Sequence, residues 1–190
     1  MFYFLKRLYW DLKHRDTRFH HINAFLMHLP GHFGTELRGR VLPRYFAAAG
    51  EGLLVHEGVR IRGVKRLLVG SQVEIGVDNF IQASGGVTLG NDVMMGPGVK
   101  IWSINHRFDD PDRPIREQGY DYEEVTIGDH VWIGADAFIM PGVTIPEGCV
   151  ISACATVAKK KYPPYALIAG SPARVIGTRK KNDSTPASVS

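Results

Sequence analysis

Eight histidines and two cysteines are the side chains of this chain best suited to exchanging a proton, a metal ion or an acyl group near neutral pH. His14, His20, His21, His28 and His32 fall close together, but their spacings match no zinc signature, which leaves them as surface or packing residues. Cys149 and Cys154 form no disulfide framework, and nothing demands an oxidising compartment. No G-x-S-x-G elbow offers a serine nucleophile. His106 stands apart. It lies at the root of a stretch carrying Asp109, Asp110, Asp112, Glu117, Asp121, Glu123 and Glu124. An imidazole there can remove a proton from a weakly acidic hydroxyl and hand it to a leaving group. The plain alternative is a loop histidine satisfied by a backbone carbonyl.

Whatever positions His106 must be regular, because the sequence on either side of it is. From Val125 to Val157, every sixth residue reads Ile127, Ile133, Ile139, Ile145, Ile151, Val157. Two places before each stands another compact apolar residue: Val125, Val131, Ala137, Val143, Cys149, Ala155. A helix needs a period near 3.6 and a half-buried strand a period of about 2, so this rhythm is neither. It is the pattern of a hexapeptide β-helix, a solenoid whose short strands build flat faces around a narrow core. The rhythm begins raggedly at Leu53, clears through Val69, Ile75 and Ile81, shifts by two residues, and resumes at Leu89, Met95 and Ile101. Roughly five coils of about eighteen residues are expected over residues 53–162, with Gly70, Gly76, Gly90 and Gly96 at corners whose dihedrals suit a residue without Cβ. Ile127 then follows Ile101 by twenty-six positions. A long loop thrown from a regular solenoid is a functional feature before it is a decorative one.

The 190 residues are divided here into an N-terminal helical segment (1–50), a β-helix domain (51–178, excursion loop about 103–124) and a polar tail (179–190) expected to be disordered. Net charge is +4, with basic ends flanking an acidic middle, so a phosphate site belongs at the ends and nucleic acid is not the expected partner. The opening MFYFLKRLYWDLKHRD is too short and too charged for a secretion signal or a membrane span, which predicts a cytoplasmic protein. As a helix it gathers Phe2, Leu5, Leu8, Tyr9 and Leu12 on one side. That side packs on the domain or on a sister subunit, or it attaches to the inner membrane surface. Pro30 and Gly31 predict a break, with a second short helix over Leu37–Phe46. Asn79 occupies an inward position and must find hydrogen-bond partners, in a stacked polar ladder or on an acceptor. Trp132 occupies an outward one.

The hexads, the IWSINH run ahead of the excursion, IGDHVWIGADAFIMPGVTI and the closing AGSPARVIG together resemble the galactoside, maltose and xenobiotic acetyltransferases and their relatives that O-acetylate bacterial surface polysaccharides. The resemblance covers about residues 53–178. It implies a left-handed parallel β-helix, a homotrimer with active sites between subunits, acetyl-CoA as co-substrate, no metal, and a saccharide acceptor in lipopolysaccharide, capsule or exopolysaccharide biosynthesis. It makes His106 the catalytic base. It lays acetyl-CoA along Ala135 and Ala153, with Ala158, Lys159 and Arg174 near the nucleotide phosphates, and Trp132 beside the reacting groups; Asn105 and Asn79 are candidate acceptor contacts.

The chain departs from the pattern at three points. The N-terminal segment does not match the acceptor-binding one of the small-sugar enzymes, the KKKYPPY corner is one residue longer than usual, and Cys154 replaces a usual glycine in the donor groove. Three competing readings share the scaffold: an amino-sugar or antibiotic acetyltransferase, a γ-type carbonic anhydrase using His56, His106 and His130, and a non-catalytic trimeric scaffold.

Overall fold

Two inward side chains per hexad oblige the backbone to turn after each short strand, and the turns stack the strands of successive coils into three parallel sheets. The computed structural model describes residues 2–180, so most of the polar tail, Lys181 included, lies outside the described residues. These residues form the left-handed parallel β-helix that the resemblance implies, preceded by helices. Face A stacks Ala48–Ala49, Leu67–Val69, Val87–Leu89, Val125–Ile127 and Thr144–Ile145. Face B stacks Leu54–Val55, Glu74–Ile75, Met94–Met95, Trp132–Ile133, Val150–Ile151 and Ala166–Gly170, and face C stacks Arg60–Arg62, Phe80–Gln82, Lys100–Trp102, Phe138–Ile139 and Thr156–Val157. The pairs are in register, Ile133 with Met95 and Ile151, Ile139 with Ile101 and Val157. Val131, Ile133, Ala137, Ile139, Val143 and Ile145 are all 0–1% exposed. Burying a Val or Ile side chain is worth about 1.5–3 kcal/mol, so each coil is held mainly by its inward residues.

Five coils are complete, and a sixth rung, Ala166–Gly170, closes face B by pairing antiparallel with Ala173–Thr178. Coiling starts ahead of the expected Leu53, because Ala48–Ala49 already pairs with Leu68 and Val69 through backbone alone, its side chains being exposed.

The corner glycines have a different reason from the one expected. Gly70, Gly76, Gly90 and Gly96 are not left-handed; that conformation is taken by Gln72, Asp78, Asp92, His130, Asp136 and Cys154, at φ of 55–58°. Glycine is needed for close approach. A Cβ on Gly134 would sit 2.5 Å from the amide nitrogen of Ala153 in the next coil, and one on Gly96 2.8 Å from that of Ala135.

The ragged early rhythm also has a structural cause, at the edge between faces C and A. Ile61 to Val69 and Ile81 to Leu89 are steps of eight, and the extra inward side chains Val64 and Ala83 fill the widened corner, 2% and 0% exposed. In the third coil that place belongs to Ser103, fully buried, whose hydroxyl donates to the Gln82 carbonyl at 2.6 Å and accepts from the Gly85 N–H at 2.9 Å.

The N-terminal segment is three helices, α1 (Phe2–Lys13), α2 (Arg15–Leu26) and α3 (Gly31–Val41), with a 3-10 turn over Leu42–Tyr45. Extended residues at His14 and Pro30 separate them. The third helix therefore begins at Gly31 rather than Leu37, since Pro30 serves as its N-cap. Arg38 docks it on the first coil. Its guanidinium is fully buried and donates to the carbonyls of Val55 at 2.8 Å, Leu26 at 2.9 Å and Leu29 at 2.8 Å, and burial lowers its pKa. One side chain thereby ties the first coil, through Val55, to the end of α2 and the loop after it, through Leu26 and Leu29. In contrast, α1 buries none of its residues.

Candidate active site

The excursion leaves from the widened C–A corner as a hairpin. Ile104–His106 pairs antiparallel with Tyr120–Tyr122, placing His106 opposite Tyr120 with ring centroids 4.3 Å apart. Arg107 and Asp121 form an exposed ion pair at 2.6 Å, which raises the arginine pKa through the hydrogen bond and the charge of Asp121. At the tip, Gln118 donates to the carbonyls of Asp110 and Arg113, each at 2.8 Å, and accepts from the Asp110 N–H at 3.0 Å. The hairpin is thus self-supporting. His106 itself is exposed, and among the described residues no hydrogen bond holds its ring. Of the nearby acids Asp109 and Asp110, neither bonds the ring, and Asp110 Oδ1 accepts from the Asp112 N–H at 3.0 Å. Asn105 is exposed and its Oδ1 accepts from the His106 N–H at 3.0 Å, fixing the backbone beside the imidazole.

The second group of residues lies on a different edge of the prism. Where the chain turns from face B to face C, the coils read V-H-E-G, I-G-V-D, M-G-P-G, I-G-A-D and I-S-A-C, from Val55 to Cys154. Gly76, Gly96 and Gly134 present no side chain there, and the residues after them, Val77, Pro97, Ala135 and then Ala153, line one wall. The backbone N–H groups of Ala135 and Ala153 have no acceptor within the chain among the described residues. Each is a donor in search of an acceptor, which is what an oxyanion or an amide-bearing ligand supplies. Trp132 stands beside them on face B, 52% exposed, in register with Met94 and Val150. A cavity of about 270 Å³ opens between Trp132, Met94, Gly96, Gly76, His56 and Glu74.

The C-terminal end collects the basic residues. A cavity of about 450 Å³ is lined by Lys159, Lys160, Lys161 and Tyr162. Lys159 is ion-paired with Glu123 of the excursion, and Lys160 donates to the Ala173 carbonyl at 2.6 Å, next to exposed Arg174. The Ala158 carbonyl accepts from the Tyr162 hydroxyl at 2.9 Å, and burial raises that hydroxyl's pKa. Ala158, Lys159 and Arg174 are thus gathered at one end of the solenoid.

Asn79 requires a correction. It is fully buried, its Oδ1 accepting from the Val99 N–H at 2.7 Å, so it faces the core and cannot touch an acceptor. The remaining residues fall into two groups that one chain keeps apart. His106 and Asn105 leave from the C–A edge, whereas Ala135, Ala153 and Trp132 border the B–C edge. Among the described residues, no group of three or more His, Cys, Asp or Glu is placed to hold a metal ion, and His56, His106 and His130 sit on three different edges.

Sequence reasoning passed over one pair. His56 Nε2 and Glu74 Oε1 are 2.9 Å apart at the N-terminal end of the B–C groove. The signal was legible: His56 occupies the corner place that Gly76, Gly96 and Gly134 take in the next three coils.

Residues 124–159 match the family model of the bacterial transferase hexapeptide (six repeats). The galactoside O-acetyltransferase of Escherichia coli is 32% identical over 149 residues, spanning 78% of this chain and 70% of that protein. A maltose O-acetyltransferase from Clostridium difficile superposes with a TM-score of 0.76 at 27% identity, over 90% of this chain and 89% of that one. An acetyltransferase from Vibrio cholerae, complexed with acetyl coenzyme A, shares the fold at a TM-score of 0.77 and 23% identity, over 88% of each chain. Relative to two other curated relatives, a probable acetyltransferase of Mycobacterium tuberculosis and a putative one of Schizosaccharomyces pombe, the chain spans only 38% and 42% of their length.

Proposed function

The chain belongs to the hexapeptide-repeat acetyltransferases, the family of galactoside O-acetyltransferase, and from that premise we propose that it moves an acetyl group from acetyl-CoA to a hydroxyl of a saccharide in cell-envelope polysaccharide biosynthesis. One observation carries the reading: a self-supported hairpin presents His106 at one edge, while a glycine-lined groove presents two unpaired amides at another. In a homotrimer, the C–A edge of one subunit meets the B–C edge of the next.

The chemistry follows from the groups. CoA lies along the groove with its phosphates near Lys160 and Arg174, where Lys159, held by Glu123 at the C–A edge, approaches from the adjacent subunit, and its pantetheine arm lies against Ala153. His106 of the adjacent subunit takes the proton of the acceptor hydroxyl as its oxygen attacks the thioester carbon. The new C–O bond forms, the thioester C=O becomes an oxyanion held by the Ala135 N–H, and its collapse breaks the C–S bond. The imidazolium then returns the proton to the departing thiolate. Trp132 walls the reacting centre, and Asn105 holds the backbone of the base.

No described helix is long and apolar enough to cross a membrane. The exposed α1, with Phe2 and Phe4 89% and 75% exposed beside Lys6 and Arg7, suits peripheral contact with an anionic inner-membrane surface, where lipid-linked saccharides are built by cytoplasmic enzymes.

The test is transfer from radiolabelled acetyl-CoA to a panel of saccharides that includes maltose and galactosides. Turnover with at least one hydroxyl acceptor, abolished in His106→Ala, supports the reading. Turnover unchanged in that variant removes His106 from its role.

A further inference from the structure

The groove of the B–C edge changes character along its length. Ala153 and Ala135 each offer an amide, but the next wall position toward the N-terminus is Pro97, which has no N–H, followed by Val77. The run of free amides is therefore interrupted at Pro97, although the Val77 N–H beyond it also has no acceptor within the chain among the described residues, and the side chains past Ala135 are largely apolar: Met94 and Trp132 are each 52% exposed, beside Pro97 and Val77. At its N-terminal end the apolar stretch meets two polar side chains: His56, standing where the next three coils have glycine, borders it, and its Nε2 is held 2.9 Å from Glu74 Oε1. Both side chains are part-buried, 30% and 38% exposed. The cavity so bounded measures about 270 Å³, below the roughly 300 Å³ at which drug-sized ligands begin to fit, which suits a single ring.

The direction of the groove decides what fills it. With phosphates at the C-terminal end of the groove, near Lys160 and Arg174, and the thioester at Ala135, the substrate left for the far side of Pro97 is the acceptor. An aromatic wall beside a carboxylate is the environment a neutral sugar ring needs: its C–H face lies on the apolar surface while its hydroxyls donate to the carboxylate. We propose that the His56–Glu74 pair is the acceptor anchor, with Glu74 accepting hydrogen bonds from ring hydroxyls other than the one acetylated, His56 orienting that carboxylate, and Trp132 and Met94 carrying the ring. This assigns a neutral saccharide ring as the acceptor class, since an acidic sugar would meet the Glu74 charge. The assignment rests on the acetyltransferase reading above.

Steady-state kinetics of the full-length protein separate the two. The probe is whichever of maltose, a methyl galactoside or a methyl glucoside the wild-type protein acetylates with the highest kcat/KM. For Glu74→Gln and His56→Phe, the KM for that sugar rises about tenfold to a hundredfold, in line with a charged hydrogen bond lost. The KM for acetyl-CoA and the thermal shift it produces stay at wild-type values. A probe lacking one hydroxyl closes the gap between wild type and Glu74→Gln. An unchanged sugar KM in both variants, with transfer still abolished by His106→Ala, overturns the anchor and leaves the enzyme reading intact. An equal rise in the acetyl-CoA KM overturns it too, by placing the pair in the donor groove. No acetyl-CoA shift and no transfer by the wild-type protein overturns both.

Discussion

Two edges of the same prism, made by the same hexad, are built to opposite specifications. Along the B–C edge every coil turns alike. The step is six, the left-handed place falls at Gly58, Asp78, Gly98, Asp136 and Cys154, and Gly134 approaches the next coil so closely that no side chain fits. Along the C–A edge no such uniformity holds: two coils take eight residues to turn, a third throws out a hairpin, the fourth keeps to six, and after Val157 the described residues form no further strand on face A. Repetition builds a straight track with evenly spaced amides, suited to an extended molecule such as CoA. Variation places one imidazole at one height. A solenoid can do both because its core reads only the inward residues, which stay in line on either edge.

The sharpest way to break this division is to remove each edge's group in turn. His106→Ala should lower turnover by about 10²–10⁴-fold, the usual contribution of a positioned base, with the acetyl-CoA thermal shift retained. Ala135→Pro should come next, at about 10²–10³-fold in kcat, the cost of one oxyanion donor. Pro97 occupies the same corner place one coil earlier, so the proline geometry is compatible and only the N–H is lost. Coexpressed in equal amounts, these two inactive chains should restore about one quarter of wild-type turnover, because one subunit's intact C–A edge meets the next one's intact B–C edge in about that fraction of sites. Recovery of none would mean that both groups act within one chain.

A smaller effect tests the uniform edge by itself. Gly134→Ala forces a Cβ to within 2.5 Å of the Ala153 nitrogen and should cost about 1–3 kcal/mol of stability, read as a lower Tm. The least perturbing probe is the pair of thiols. Cys154 is exposed on the groove, whereas Cys149 is buried, with its pKa raised chiefly by desolvation, so at any given pH it holds less thiolate than a free cysteine. At pH 8 an alkylating reagent should label one thiol per native chain, and acetyl-CoA should slow it. Two labels in the folded protein would contradict the burial of Cys149.

The sequence spoke most clearly where the structure repeats. Ile127 to Val157 announced the coils, because a six-residue period admits one architecture, and His106 announced the excursion by interrupting it. What it did not disclose was the use of each exception. The inward Asn79 suits a polar ladder or an acceptor contact, and in the fold its Oδ1 accepts from the Val99 N–H, a partner twenty residues and one coil away, while its buried Nδ2 finds no partner among the described residues. The corner glycines looked like relief for unusual dihedrals and are instead spacers between stacked backbones, a distance that no single coil contains. In sequence His56 enters only as a possible metal ligand with His106 and His130; its pairing with Glu74 is not legible there, since Glu74 lies eighteen positions off and meets it only after a full turn of the solenoid.

The widened corners carry one more implication. Val64, Ala83 and Ser103 are the extra buried residues at this corner in three successive coils, and only after Ser103 does the chain grow outward into the hairpin. The corners at Val64 and Ala83 keep short turns, eight residues from one inward aliphatic to the next, and a second loop grafted at either would leave the stacked inward residues in register.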